Sequence, residues 1–79
     1  MFDQPTLYKV NGKTYEQVHG NAFDRGSADS WYSRARNPHK GGVGGLSGYR
    51  VESLTAAEIE AYHAGYDYNE QFGGKKDYD

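Results

Sequence analysis

The chain has 79 residues, eight tyrosines, no cysteine and a net charge of −2. This length predicts one domain with a modest core, and the lack of cysteine excludes disulfides and thiolate-bound metals. No run of about 18 apolar residues and no N-terminal signal pattern occur. We therefore expect a soluble cytoplasmic protein that does not contact membranes.

The first predicted element is a β-hairpin over residues 7–16. Two short β-prone runs flank Asn11-Gly12, and both residues of this pair tolerate the positive φ of a two-residue turn. Such a turn pairs Tyr8 with Tyr15. It also places both rings on one face with Val10, and that face should pack on a helix because a lone hairpin is marginally stable.

The second predicted element is a helix over residues 22–36. Asn21 is a good N-cap, and Asp24 places a carboxylate near the exposed amides of the first turn. The residue before Pro38 avoids the helical region, which predicts the end of the helix. Trp31 is expected to anchor the core, since a lone tryptophan in a small domain is usually buried.

A loop, a second helix and a loose tail complete the predicted elements. The loop over residues 37–53 holds five glycines and is expected to be a flexible connector. The second helix covers residues 56–72, because Thr55 and Glu58 have the spacing of a capping box. Two glycines then end the helix, and residues 73–79 are expected to be loose.

The two predicted helices share a five-residue pattern. Residues 22–26 and 61–65 both read Ala-aromatic-x-x-Gly. Positions four apart lie on one helix face, so each pattern gives a smooth strip beside a large ring. We expect close contact at Gly26 and Gly65, with Phe23 and Tyr62 as flanking core rings. The predicted fold is α+β, an N-terminal β-hairpin packed on an antiparallel two-helix hairpin.

No arrangement typical of an active site is found in the sequence. A nucleophile elbow, a paired-carboxylate motif and a phosphate-binding glycine loop are all absent. The three histidines fall in different predicted elements without metal-ligand spacing, so they are expected to be solvated. We therefore predict a protein that is not an enzyme and carries no metal or cofactor.

Helix two carries more rings than so small a core can cover. Tyrosine is enriched at binding surfaces, which favours contact with another protein. Partner-binding residues are therefore predicted at four positions, Tyr62, Tyr66, Tyr68 and Phe72. A host protein is the first candidate partner, and a homodimer is left open.

The charge distribution favours two alternatives. Residues 25–50 carry five cations against Asp29 alone, which gives +4, whereas residues 51–79 carry seven acids against two lysines, which gives −5. The two segments could attract each other within the fold. Alternatively, the basic segment could bind a ribosome or RNA, since arginines hold phosphates while rings stack on bases.

Two resemblances bear on these alternatives. The stretch Phe23-Asp24-Arg25-Gly26-Ser27-Ala28, the Asn37-Pro38 break and the second aromatic helix make the chain similar to ribosome modulation factor. That family of small helical-hairpin proteins binds ribosomal RNA, and the resemblance implies RNA contact at Arg25, Arg34, Arg36 and Lys40. The GNAFDRGSADSWY and AYHAGYDYNE segments also resemble small uncharacterised phage and prophage proteins. This second resemblance implies an accessory protein that binds and modulates a host macromolecule.

Overall fold

A computed structural model describes residues 6–42 and 50–76 of the chain. It contains a two-stranded antiparallel β-hairpin and two helices, the second of which continues into a π-helical turn. The elements are β1 (Thr6–Val10), β2 (Lys13–Gln17), α1 (Ala22–Trp31), α2 (Ala56–Tyr68) and the π-helical turn (Asn69–Gly73). The hairpin packs against the helices, and the predicted α+β class is confirmed.

The hairpin forms as predicted, with each strand one residue longer at its outer end. Asn11 and Gly12 have φ values of 51° and 80°, so the turn is built from the two residues that tolerate them. Tyr8 pairs with Tyr15 in the predicted register. Both rings stack on Phe23 of α1, with centroid separations of 5.3 and 5.7 Å.

Helix α1 begins as predicted and ends earlier. The Asn21 side chain accepts a hydrogen bond from the Asp24 amide at 2.9 Å. At the other end Ser33 has a φ of 59°, and the Arg34 amide donates back to the carbonyl oxygen of Asp29 at 2.8 Å. This 6→1 hydrogen bond belongs to a Schellman motif, which terminates the helix at Trp31. The predicted extension to residue 36 is wrong.

The two helices meet at the glycines of the repeated pattern. A Cβ built on Gly26 would lie 2.0 Å from the carbonyl oxygen of Tyr62. A Cβ built on Gly65 would lie 2.1 Å from the carbonyl oxygen of Phe23. Each glycine therefore faces the aromatic residue of the other pattern. The prediction of close contact at these two glycines is confirmed.

The core contains Phe23 and Tyr62, which are 1% and 0% exposed, but not Trp31, which is 42% exposed. A helical residue advances by 100°, so Trp31 lies about 140° around α1 from Gly26. The close contact at Gly26 therefore turns Trp31 away from α2. The expectation that Trp31 anchors the core is wrong.

The chain after α2 is bound to α1, which corrects the predicted loose tail over residues 73–76. Gly73 belongs to the π-helical turn, and Gly74 leaves it with a φ of 154°. The Lys75 ammonium then donates to the Ser30 carbonyl oxygen at 2.9 Å, and the Lys76 amide donates to that of Trp31 at 2.7 Å. These bonds satisfy carbonyl groups at the C-terminal end of α1. Residues 77–79 lie outside the described part.

The described parts of the 37–53 loop are likewise attached to the fold. Lys40 and Val51 form an isolated antiparallel bridge, and the Gly41 amide donates to the Gly20 carbonyl oxygen at 2.7 Å. The prediction of a flexible connector does not hold for these residues, because their backbone groups have specific partners. Residues 43–49 lie outside the described part.

Candidate partner-binding surface

A continuous series of aromatic contacts extends from the core to the surface. Tyr8 stacks on the buried Phe23 and makes an edge contact with Tyr68 at a centroid separation of 4.6 Å. Tyr68 in turn contacts Phe72 at 5.0 Å. Tyr68 is half-buried, whereas Phe72 is 66% exposed. We call Tyr68 and Phe72 the aromatic face. Two of the four predicted partner-binding residues lie there.

Tyr62 does not belong to this surface. Its side chain is fully buried, and its hydroxyl donates to Asp29 Oδ2 at 2.5 Å while accepting from the Asn37 amide at 3.0 Å. Burial, together with the hydrogen bond to the Asp29 carboxylate, raises the pKa of Tyr62 to about 12. The predicted partner contact at Tyr62 is therefore wrong. Its hydroxyl instead joins α2 to α1 at Asp29 and to the segment after α1 at Asn37.

Tyr66 is half-buried and already contacts two groups of this chain. Its hydroxyl donates to the Arg34 carbonyl oxygen at 2.5 Å. The Arg36 guanidinium lies over its ring at 4.2 Å from the centroid, which is a cation–π contact. Tyr66 thus attaches the 34–36 segment to α2. Whether it also contacts a partner stays a prediction.

The basic segment is paired with carboxylates of the same chain. Every cation between residues 25 and 50 lies near a carboxylate, and two of these pairs cross to the acidic helix α2. The pairs are Arg25–Asp24, Arg34–Asp29, Arg36–Asp67, Lys40–Glu58 and Arg50–Glu52. The geometry therefore favours attraction within the fold for Arg36 and Lys40. RNA contact at the four predicted residues stays a prediction.

The surroundings of the Asp24 carboxylate favour its charged form. Burial alone would raise its pKa, but hydrogen bonds from Gln17 Nε2 and the Gly20 amide, together with the Arg25 charge, bring the pKa below its ordinary value of 3.8. The Gln17 and Gly20 bonds are 2.7 and 2.9 Å long. Arg25 lies 3.1 Å from the same carboxylate and is 17% exposed in its side chain. This cluster joins the end of β2 to the start of α1.

One histidine departs from the sequence prediction. His39 is 4% exposed rather than solvated, and its Nδ1 lies 2.8 Å from the Asn37 carbonyl oxygen and 3.7 Å from Asp29 Oδ2. Its ring also packs beside Tyr62, at a centroid separation of 5.8 Å. Within residues 6–42 and 50–76, no group of three His, Asp or Glu side chains could hold a metal ion. His39 thus contributes to packing between the loop and the helices.

A groove of about 460 Å³ lies between the hairpin and α2. Across it, Glu60 pairs with the Lys13 ammonium and accepts a hydrogen bond from the Tyr15 hydroxyl at 2.6 Å. The hydrogen bond to Glu60 is the main cause that raises the pKa of Tyr15 to about 12. The polar groups at this position are therefore bonded to each other across the groove.

A second group of exposed rings lies on α1, where the sequence predicted that Trp31 is buried. Trp31 and Tyr32 are 42% and 37% exposed and border a shallow groove of about 310 Å³ along α1. The Arg34 guanidinium and the Lys76 ammonium lie 4.7 and 5.6 Å from the Tyr32 ring centroid. The angle between Gly26 and Trp31 on a helical wheel was the signal that could have revealed this position.

Comparisons with known proteins assign no family. No family model matches the sequence, and neither a curated protein nor a solved structure matches the chain. The resemblances to ribosome modulation factor and to phage proteins therefore stay predictions. In the described part of the chain, no helix has the length and apolar character needed to cross a membrane.

Proposed function

We propose that the chain is a non-enzymatic protein-binding domain that contacts its partner through the aromatic face. The observation that carries the proposal is the 66% exposure of Phe72 at the outer end of the ring series. Burial of the exposed Phe72 ring against a partner would remove apolar surface from water, which is favourable, and Tyr68 beneath it is held by Tyr8. Aromatic residues, phenylalanine included, are enriched at the cores of protein interfaces, where a few residues contribute most of the binding energy.

The polar groups of the described surface support a binding role over catalysis. In the larger groove, Glu60 is bonded to Lys13 and Tyr15, and Asp67 is paired with Arg36. A general base or nucleophile needs a hydrogen-bonding position open toward its substrate. Here both carboxylates are paired with cations of the same chain, and the pKa of Glu60 lies below its ordinary value of 4.5, which makes it a poor general base at neutral pH.

The resemblance to phage proteins gives this proposal its setting, in which the partner is a host protein in the cytoplasm. RNA is the alternative partner. It has weaker support, because a cation already paired with a carboxylate of its own chain releases fewer counterions on binding phosphate. Arg36 and Lys40 are both paired with carboxylates of α2 in this way.

The test is capture of a partner by the full chain immobilised through a tag, followed by mass spectrometry of the bound proteins. The Phe72→Ala variant should weaken capture roughly thirtyfold, because truncating an interface anchor costs about 2 kcal/mol. Ile59→Ala is the matched control, since Ile59 is a 40% exposed apolar residue on the same helix. It should leave capture unchanged.

Equal loss in both variants, or in neither, would contradict the assignment of the aromatic face. Capture of ribosomal proteins that disappears after ribonuclease treatment would favour the RNA alternative. In that case Arg34→Ala should weaken capture more than Phe72→Ala does.

A further inference from the structure

The two edges of the hairpin differ in how they are covered. At the outer edge of β2, the Glu16 carbonyl oxygen accepts a hydrogen bond from Asn21 Nδ2 at 2.9 Å. At the outer edge of β1, no hydrogen bond from residues 6–42 or 50–76 reaches the backbone of Leu7 or Lys9. An uncovered edge strand is a template for pairing with another strand.

The register determines which backbone groups point outward. The two-residue turn makes Val10 and Lys13 a hydrogen-bonded pair, so hydrogen-bonded and non-hydrogen-bonded pairs alternate along the ladder from there. Tyr8 therefore bonds toward β2. Leu7 and Lys9 direct their N–H and C=O groups away from the hairpin. These two residues have the spacing that an added antiparallel strand requires.

The side chains at this edge are also without strong contacts. Leu7 is 63% exposed on the outer face of the hairpin, the face opposite to Tyr8 and its ring contacts. Lys9 lies on the same outer face, as does Glu16, which is paired in register with Leu7. Neither Lys9 nor Glu16 forms an ion pair with the described residues.

We propose that β1 pairs with β1 of a second copy of this chain, antiparallel and about a two-fold axis at Tyr8. Leu7 then lies opposite Lys9 of the second copy, and Lys9 lies opposite its Leu7. Each of these pairs exchanges two backbone hydrogen bonds, so four form at the interface. The product is a four-stranded sheet in the order β2-β1-β1-β2.

Charge complementarity selects both the occupant and the register. On the outer face of the joined sheet, each Leu7 lies between Glu16 of its own chain and Lys9 of the second copy. Opposite charges therefore flank Leu7. They are two strands apart, about 10 Å, which extended lysine and glutamate side chains can span. A register centred on Lys9 would place the two lysines directly opposite each other, which is destabilising.

This assembly would also stabilise the two-stranded hairpin further. In one chain the hairpin depends on its packing against the helices, and a sheet of four strands adds backbone hydrogen bonds to that support. The inference goes beyond the proposed partner binding, since Leu7 and Lys9 lie on the face opposite to the rings. The two can fail separately, because oligomeric state measures one and partner capture the other.

The main test is sedimentation equilibrium of the full chain at micromolar concentrations, where a dimer is expected. Lys9→Pro removes an outward N–H and spares the bonds to β2, so the variant should sediment as a monomer. Thr14→Pro is the matched control, because Thr14 is the cross-strand partner of Lys9 at the outer edge of β2. It should remain a dimer. A monomeric parent chain would overturn the proposal.

A charge exchange tests the same register without proline. Lys9→Glu and Glu16→Lys should each raise the dissociation constant about two- to thirtyfold, because the two-fold axis makes each substitution break two exposed ion pairs. The double variant should restore the parent value, because the opposite charges then exchange places. Additive weakening in the double variant would overturn the assigned register.

Amide hydrogen exchange gives a direct measurement at the edge. Exchange at Leu7 and Lys9 should slow about tenfold between dilute and concentrated protein, while Thr14 and Glu16 stay unchanged. Protection that appears at Leu7 and Lys9 only when another protein is added would assign the edge to a different extended segment, which would overturn the self-pairing.

Discussion

The two interfaces that build this fold are made in opposite ways. Between α1 and α2, glycine faces backbone, with no space for even one added carbon at Gly26 or Gly65. Between the hairpin and the helices, large rings meet at centroid separations of 4.6 to 5.7 Å. The first contact depends on one residue type at each point. The second can tolerate variation and continues outward to the exposed Phe72.

The largest expected effect is at the helix–helix contact. Gly26→Ala and Gly65→Ala each gain about 1 kcal/mol of helix propensity, but a Cβ near 2 Å from a carbonyl oxygen forces the backbones apart. Overpacking typically costs about 1–3 kcal/mol, and here the obstacle is backbone, which cannot rotate aside as a side chain can. We therefore expect a cost of about 3 kcal/mol or more, and after the gain in propensity a net loss of at least about 2 kcal/mol in the free energy of unfolding.

Urea denaturation followed by circular dichroism measures this loss. Ser27→Ala is the control, because it lies beside Gly26 on the same helix and is only half-buried. Its stability should equal or exceed that of the parent chain. If Gly26→Ala were as stable as Ser27→Ala, the backbone contact would not be as close as the structure shows.

The second prediction concerns the buried hydroxyl of Tyr62. Tyr62→Phe leaves the Asp29 carboxylate and the Asn37 amide without this partner, which should cost about 1–3 kcal/mol. Tyr66→Phe is the matched control on the same helix, since its hydroxyl serves one carbonyl oxygen near the surface. It should cost less than about 1 kcal/mol. Equal losses would mean that burial of the hydroxyl does not matter.

Tyr62, together with Tyr15, should make the free energy of unfolding depend on pH in the alkaline range. The pKa values of Tyr15 and Tyr62 are raised to about 12, above the ordinary value of 10, so the folded state favours the protonated phenols. Their contribution to stability is complete below pH 10 and is lost as the pH rises toward 12. Denaturation midpoints measured across this range should fall less steeply in Tyr62→Phe than in the parent chain.

The smallest expected effect is at the Lys13–Glu60 pair, which is exposed and therefore screened by solvent. The bond from the Lys13 ammonium, followed by that from the Tyr15 hydroxyl, lowers the pKa of Glu60 below its ordinary value of 4.5. The contribution is thus present above that value and is lost as the pH falls through the lowered pKa. Lys13→Ala should be slightly less stable than the parent at neutral pH, and the difference should vanish in acid.

Local features of the sequence predicted most of the fold. Asn11-Gly12, the Asn21 cap and the Thr55 capping box act within a few residues, so their patterns determine where elements begin. The Ala-aromatic-x-x-Gly patterns correctly gave the two contact glycines, because only a close approach justifies glycine in a helix. These signals need no knowledge of the rest of the chain.

Features that depend on tertiary contacts were predicted less well. Ser33 ends α1 although serine seldom adopts positive φ, and nothing nearby in the sequence indicates that conformation. Tyr62 and Phe72 look alike in the sequence, but Tyr62 is buried and its hydroxyl bonds to Asp29, 33 residues away in the chain, whereas Phe72 is 66% exposed. The candidate surface therefore needed the structure to separate core rings from exposed ones.

The reciprocal glycine contact has a consequence for finding remote relatives of this chain. Each five-residue pattern supplies both the glycine and the carbonyl oxygen that the other pattern requires, so the two patterns constrain each other across 39 residues. Rings elsewhere can change size and still pack. A search that fixes only the paired patterns and their separation should detect descent at distances where similarity over the whole sequence has vanished.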